Sequence, residues 1–563
     1  MSTTDSFARA DAGLDEALVA LRRGGDAWSN RSHAQRAKLL RSLHAAIVPE
    51  ARAWADAAAR AKGLSPDENL AGEEWVSGPY ITLATVATYV RDYRQFARGR
   101  STSDGLRFRH VPGNRVAARI LPENLRERTL FNGFSGEVWF QPGVSEERVR
   151  SRAGLGAREP GVNGGVALVL GAGNISAIGP LDVLYELVAH NRTSILKLNP
   201  TFESLLAVLL RAFAPLVDAD VVRIVNGGAD VGSYLAQHAH INKVRITGSK
   251  ATHDLIVWGS GEEANRRRAA KDPKLTTPIT SELGGVAPVI VVPGRWSKAD
   301  LQFQARHVVT MRLHNASHNC IAAQEIIVPT SWSQKDEFLA AVRRELGEVA
   351  PRAPWYPGSD AKLAAARRSH PEVEDIAGRL LTRADVGDEL LSEEYFVPVL
   401  GYTEIAGSGA EYLDAAIDFA NDSIFGTLGA NIIIKPSDRA AMGTGFDTAL
   451  SRLLYGSIGV NAWSAAAFLL PNATWGGFPG HTIEDVGSGI GVVHNGHLFD
   501  DAERSVITGP FAPFPRALPS LFPTPPWFVQ SRSVLATSQR LTDYAAKPGW
   551  RRLVPVLFAA YRA

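Results

Sequence analysis

The sequence predicts an α/β protein with two parallel-sheet domains, a helical N-terminal region and a small β insert. Three observations carry this. Strand-like and helical runs alternate repeatedly over residues 166–257, a βαβ series that packs as a parallel sheet with helices on both faces. A second α/β series runs over about residues 298–463. The 563-residue chain, 45% hydrophobic, is long enough for several domains with large cores of their own.

Residues 11–98 read as helices from the spacing of their apolar positions. Ser32 suits the N-cap of a helix over 34–47, and Pro49, which lacks an amide hydrogen, should kink or break it. A second segment is expected over 51–61, ending at Gly63, and a third over about 72–96. From 105 to about 160 the texture changes. Leu106-Arg107-Phe108-Arg109-His110-Val111 and Gly136-Glu137-Val138-Trp139-Phe140 alternate in polarity, and Pro-Gly and Asn-Gly steps predict turns. Such an element could bridge domains or subunits. Strands are then expected at 166–170, 193–198, 221–225 and 244–247, with helices at 178–190, 204–214, 231–238 and up to about 257. Arg266 to Arg268 reads as solvated surface. A further strand is expected at 289–292. Residues 514–563 begin rich in proline and aromatics, as in Phe522-Pro523-Thr524-Pro525-Pro526-Trp527-Phe528, end in a helical tail, and read as an appended segment.

A net charge of +2 gives no reason to expect nucleic acid or anionic lipid as a partner. One cysteine and no secretory apolar core near Met1 read as a reducing cytoplasm. The most apolar long window, 165–188, contains Asn174, Asp182 and Glu186 and fails as a membrane span.

Cys320, the only cysteine, lies in His314-Asn315-Ala316-Ser317-His318-Asn319-Cys320 ahead of a strand-like Glu325-Ile326-Ile327-Val328. Taken alone it is either a small buried hydrophobe or a nucleophile activated by a helix start or a nearby charge. Gly171-Ala172-Gly173 follows a strand, but Ser176 stands where a dinucleotide fingerprint wants its third small residue. Asn174 could aim a side-chain N–H at an oxyanion or form an Asx turn. Thr247-Gly248-Ser249 could present free N–H groups to a phosphate, or Ser249 could simply cap a helix. Glu282 precedes Leu283-Gly284-Gly285, whose glycines allow close approach to a ligand; its carboxylate could take a proton from water or belong to a surface loop. His314 and His318 stand i, i+4, yet no third ligand is evident, so no metal site is expected. No G-x-S-x-G elbow is present.

These pieces, in order, resemble the aldehyde dehydrogenase superfamily: REPGVNGGVALVLGAGN, ILKLNP, VNGGADVG, VRITGS, SELGGVAPVIV, NCIAAQ, SEEYFVPVLGY, NDSIFGTLGANI and GVNAW, over roughly residues 155–490. The resemblance implies two Rossmann-like domains and a bridging or oligomerisation arm. It implies Cys320 as nucleophile, with Asn174 and the Cys320 backbone N–H holding the oxyanion and Glu282 activating water against a thioester. For the cofactor, NAD or NADP, it implies Lys197, Gly248, Ser249, Gly284 and Glu394. Pro200 stands where the family often has a glutamate, which makes NADP credible beside NAD. His253, Val397 and His318-Asn319 also depart from the family pattern.

The implied organisation is an N-terminal helical part (1–104), a β arm (105–160), a cofactor domain (161–290), a catalytic domain (291–480), a return to the arm (481–513) and a C-terminal extension (514–563). The expected activity is NAD(P)-dependent oxidation of an aldehyde to its acid by a cytoplasmic homodimer or homotetramer. Two other readings stand beside it: a coenzyme A-acylating enzyme in which the thioester passes to coenzyme A, and an inactive scaffold of the same fold. The sequence does not name the aldehyde.

Overall fold

The computed structural model describes residues 3–513, 516 and 524–563. Two sheets organise it. The first has six strands in the order Gly489–Ile490, Ile279–Leu283, Lys243–Gly248, Val166–Leu170, Thr193–Lys197, Val222–Val225. All neighbours are parallel except the short Gly489–Ile490 edge. The carboxyl ends of its strands carry the 171–174, 197–199 and 248–249 turns, where an open parallel sheet leaves a ligand crevice.

The second sheet has eleven strands: Phe108–Val111, Arg115–Leu121, Ser135–Phe140, Ala502–Thr508, Ser457–Val460, Gly429–Ile433, Ala287–Val291, Ala323–Pro329, Val399–Ile405, Arg379–Arg383, Glu374–Ile376. The β insert is therefore continuous with this sheet within one chain. Ala502–Thr508 is the joint, parallel to Ser457–Val460 and antiparallel to Ser135–Phe140. The chain changes sheets at 284–286, since Ala287–Val291 already pairs in the second; the expected cut at 290 falls several residues late.

The N-terminal helices depart from expectation at Pro49. Helix His33–Ala61 runs straight through it, with the Ser32 capping box at its start. Leu40, Leu43, Ile47, Ala51, Trp54, Ala55 and Ala58 make one buried face spanning both sides of the proline. Packing of that face on helix Ile81–Phe96 and helix Leu206–Ala212 offsets the missing hydrogen bond. Gly63, at φ 73, ends the helix and leaves Lys62 pointing inward, fully buried. The expected third helix is interrupted by a π-helical turn, Val76–Tyr80, around Pro79.

The C-terminal segment is an integral part of the core. Helix Val534–Ala546 packs on Gly72–Trp75 and on the π-turn, and helix Trp550–Tyr561 packs on it in turn. Phe522 and Pro523 of the expected Pro- and aromatic-rich stretch lie outside the described residues. No helix among the described residues is long and apolar enough to cross a membrane.

Candidate active site

Cys320 follows a turn that three consecutive residues enter in the left-handed region: Asn315 (φ 55), Ala316 (φ 53) and Ser317 (φ 73). Side chains other than glycine resist this conformation by about 1–2 kcal/mol each, so the turn has to be held. Lys62 Nζ donates to Asn315 Oδ1 at 3.0 Å and pairs with the buried Glu74 at 2.8 Å. Asn315 Nδ2 donates to His318 O at 2.9 Å and to Asn174 O at 3.2 Å. The buried Arg312 guanidinium donates to Ser317 O (3.3 Å) and Val397 O (2.7 Å). Backbone strain held by surrounding structure is typical of sites that need a fixed geometry.

His318 explains one departure from the family pattern. Its Nδ1–H donates to Phe396 O at 2.7 Å, while Nε2 accepts from the backbone N–H of Trp355 and Tyr356 at 3.1 and 3.3 Å. Burial pushes the ring down to about 3, so it is neutral, as this pattern requires. His318 thus clasps three loops. His314 points elsewhere, 3.7 Å from Glu73 and edge-on to Trp463. The two histidines share no centre, and no group of three metal-ligating side chains stands among the described residues. The other departures are also structural. His253 is fully buried, and the Val397 side chain is buried in the hydrophobic core.

Asn174 is held by the same turn: its Nδ2 donates to His318 O at 2.9 Å, which leaves the second amide hydrogen for another acceptor. Glu282 sits within strand Ile279–Leu283, only 2% exposed, and not on a surface loop. Its carboxyl faces the Cys320 thiol, and burial, reinforced by the Asp182 charge, raises it to about 7. Burial and the Glu282 carboxyl push the Cys320 thiol well above its ordinary value. Of the two activations the sequence leaves open, Cys320 does not stand at a helix start, and the charged groups near it are the carboxyls of Glu282 and Glu394. Cys320 lies between a tight turn and strand Ala323–Pro329, and its thiol is within hydrogen-bonding reach of the Glu282 carboxyl.

All eight residues singled out in the sequence line one cleft of 640 Å³: Asn174, Lys197, Gly248, Ser249, Glu282, Gly284, Cys320 and Glu394. Ser249 caps helix Lys250–Trp258 by accepting from Thr252 N at 3.2 Å. The Glu394 carboxylate lies directly over Gly284: a Cβ there would come within 2.0 Å of Glu394 Oε1 and would move that side chain. Burial lifts the Glu394 carboxyl to about 8, and Oε1 has no hydrogen-bond partner. Burial lowers the Lys197 ammonium, while the charges of Asp230 and Glu203 act to raise it.

A second cavity, of 250 Å³ and almost wholly apolar, opens on the other side. The two cavities share Cys320 and Asn174. Its walls come from remote segments: Tyr80, Trp463, Phe468 and Trp475, and from the C-terminal segment Trp527, Leu541, Val556 and Ala560. Beside Cys320 it carries one ionised cluster. Burial alone would raise Glu73, but His314, Arg352 and Lys62 bring it down to about 2.

Sequence reasoning missed Lys62, Arg312, the Glu73 cluster and the whole C-terminal wall. Asn315 carried a readable signal, because asparagine tolerates the left-handed region. Nothing in the sequence around Lys62 shows that a residue 253 positions away depends on it.

Residues 153–365 match the aldehyde dehydrogenase family. The chain is 24% identical over 276 residues to aldehyde dehydrogenase family 3 member A2 of Rattus norvegicus, covering 46% of this chain and 52% of that one. It is 26% identical over 340 residues to coniferyl aldehyde dehydrogenase of a Pseudomonas species, covering 53% and 64%. The match thus spans about half to two thirds of the length of these curated relatives. Among solved structures, aldehyde dehydrogenase C of Pseudomonas syringae, complexed with NAD+ and octanal, superposes with a TM-score of 0.57 at 20% identity, covering 89% of this chain and 90% of that one. Betaine aldehyde dehydrogenase of Staphylococcus aureus, in complex with NAD+, gives 0.56 at 17%, covering 88% of each. The chain thus resembles the aldehyde dehydrogenase family in sequence over residues 153–365 and shares the fold of solved aldehyde dehydrogenases over nearly its whole length.

Proposed function

We propose that this chain oxidises an apolar, long or bulky aldehyde to its carboxylic acid, with NAD or NADP as acceptor, through a thioester on Cys320. The observation that carries this is the meeting of two unlike cavities at Cys320 and Asn174. One is glycine-lined at the ends of parallel strands, and the other is apolar. The octanal and NAD+ held together by the Pseudomonas syringae enzyme support the same division.

The residues present fit a nicotinamide dinucleotide. Glu394 Oε1 is a buried acceptor with no partner, suited to a ribose hydroxyl. Gly173 has the Asn199 and Tyr356 side chains directly over it, each 2.7 Å from where a Cβ would sit, and both line the same cleft. Ser249 with its helix start, and Lys197, would hold the phosphates and the adenosine end. When bound, the dinucleotide supplies the hydride acceptor.

The chain's own groups do the rest. The Cys320 thiol gives its proton to Glu282, and Sγ attacks the aldehyde carbon. The second amide hydrogen of Asn174 and the Cys320 backbone N–H stabilise the oxyanion, each such donor being worth roughly 3–4 kcal/mol. After hydride loss a thioester remains on Cys320. Glu282, once it has passed the thiol proton to solvent, takes a proton from water as the water oxygen adds to the thioester carbon; the C–S bond breaks, Glu282 returns that proton to the Cys320 sulfur, and the acid leaves. Glu282 beside the sulfur favours water over coenzyme A as acyl acceptor. A cytoplasmic location and a dimer or tetramer remain parts of this proposal, drawn from the lone cysteine and the family resemblance.

Turnover of Glu282→Gln tests it. A carboxyl raised to about 7 is protonated and idle as a base below that pH and ionised above it. Wild-type kcat therefore rises with pH through about 7, and in the glutamine variant the inflection disappears while hydrolytic turnover falls roughly 10²- to 10⁴-fold. Unchanged turnover in water, or a product formed only with coenzyme A, overturns the hydrolytic step.

A further inference from the structure

The last helix, Trp550–Tyr561, has two apolar faces. Leu553, Val556 and Ala560 are buried, and Val556 and Ala560 wall the cavity that leads to Cys320. On the opposite side Trp550, Val554, Phe558 and Tyr561 are 50%, 48%, 66% and 57% exposed. Steps of four, four and three residues put these four on one stripe. The other large apolar side chains exposed among the described residues are single aliphatics scattered over the surface, so every exposed large aromatic side chain belongs to this helix.

Charge points to what covers the stripe. Residues 524–563 hold six basic side chains against one acid, Asp543, although the whole chain is close to neutral. Arg551 and Arg562 are exposed and project just beside the stripe. A helix with outward Trp, Phe and Tyr flanked by arginines suits the headgroup region of an anionic bilayer, its rings entering the acyl boundary and its guanidinium groups meeting lipid phosphates. At twelve residues it is too short to span and would lie in the plane.

We propose that the Trp550–Tyr561 helix docks the protein on an anionic membrane surface. The near-neutral charge of the whole chain conceals this, because the basic excess is local. Docking rests on the outer face alone and stands whether or not the catalytic reading does. If both hold, the same helix meets the bilayer with one side and walls the aldehyde cavity with the other.

Co-sedimentation of the full chain with phosphatidylcholine vesicles, with and without phosphatidylglycerol, tests this. Binding is expected to the anionic vesicles, to weaken with salt, and to be slight on phosphatidylcholine alone. Arg551→Glu and Arg562→Glu should each lower partitioning by at least about five-fold. Trp550→Ala with Phe558→Ala should lower it about ten-fold or more. The unfolding midpoint should hold in all variants, since these side chains face outward. Three results overturn the proposal: no binding to anionic vesicles, binding that survives both sets of variants, or a soluble dimer that the aromatic double variant dissociates. The last would make the stripe a contact between copies of the chain.

Discussion

The two cavities that meet at Cys320 are built in opposite ways. The larger one is assembled mostly from turns at the ends of neighbouring parallel strands, so much of its wall comes from short runs such as 170–174, 228–237 and 246–260. The apolar one is assembled from segments hundreds of residues apart, including the π-turn near Tyr80, the Trp463–Trp475 region and the C-terminal helices. The first depends on backbone geometry at its turns, where glycines such as Gly171, Gly173 and Gly248 and the capping Ser249 stand. The second depends on bulk, where many apolar residues would serve. A wall of the first kind is chemically constrained, and one of the second kind is free to follow the substrate.

The deepest cut separates the two cavities by removing what they share. Cys320→Ala should lower turnover by at least about 10⁴-fold, since the covalent step has no substitute. Dinucleotide binding, followed by quenching of tryptophan fluorescence, should persist, because the strand-end turns remain. Loss of both would mean that the sulfur holds the cleft open and does not act as nucleophile.

Lys62 comes next. Lys62→Met leaves Glu74 buried and unpaired and frees the left-handed turn at Asn315. A destabilisation of about 3–5 kcal/mol is expected in chemical denaturation. A loss below 1 kcal/mol would show that the turn is held by Arg312 and His318 alone.

Legibility in the sequence divides along the same line. The strands at 166–170 and 193–197 and the helix at 178–190 were readable because apolar period and turn residues agree there. The eight candidate site residues were readable because each stands at a strand end beside a glycine, a serine or the lone cysteine, or matches a family segment. Pro49 misled, because a local rule about the missing amide hydrogen lost to a buried face that only the tertiary structure supplies. The C-terminal segment misled for a related reason. Its apolar spacing shows a helix, but not that the helix completes a cavity started near residue 72. Arg312 and Lys62 look like ordinary surface cations until the carbonyls and carboxylate that bury them are known.

Asn174→Ala probes the shared wall more gently. One oxyanion donor is lost, and with it the bond to His318 O. A fall in kcat of about 10²- to 10³-fold with little change in KM is expected, measured with one aldehyde at saturating cofactor. A rise in KM with kcat intact would instead make Asn174 a ground-state contact.

Trp527→Ala is the smallest effect and the one that sharpens the contrast most. The ring lines the apolar cavity and packs edge-on against Phe134 at 5.7 Å. If the C-terminal segment selects substrates by contact, kcat/KM for a long-chain or aromatic aldehyde should fall by roughly ten- to a hundred-fold. A two-carbon aldehyde has no tail to bury and should be little affected. If the segment only closes the site against water, both substrates should lose rate together, because a leak serves short and long aldehydes alike. The ratio between the two aldehydes therefore separates contact from closure, and the absolute loss does not.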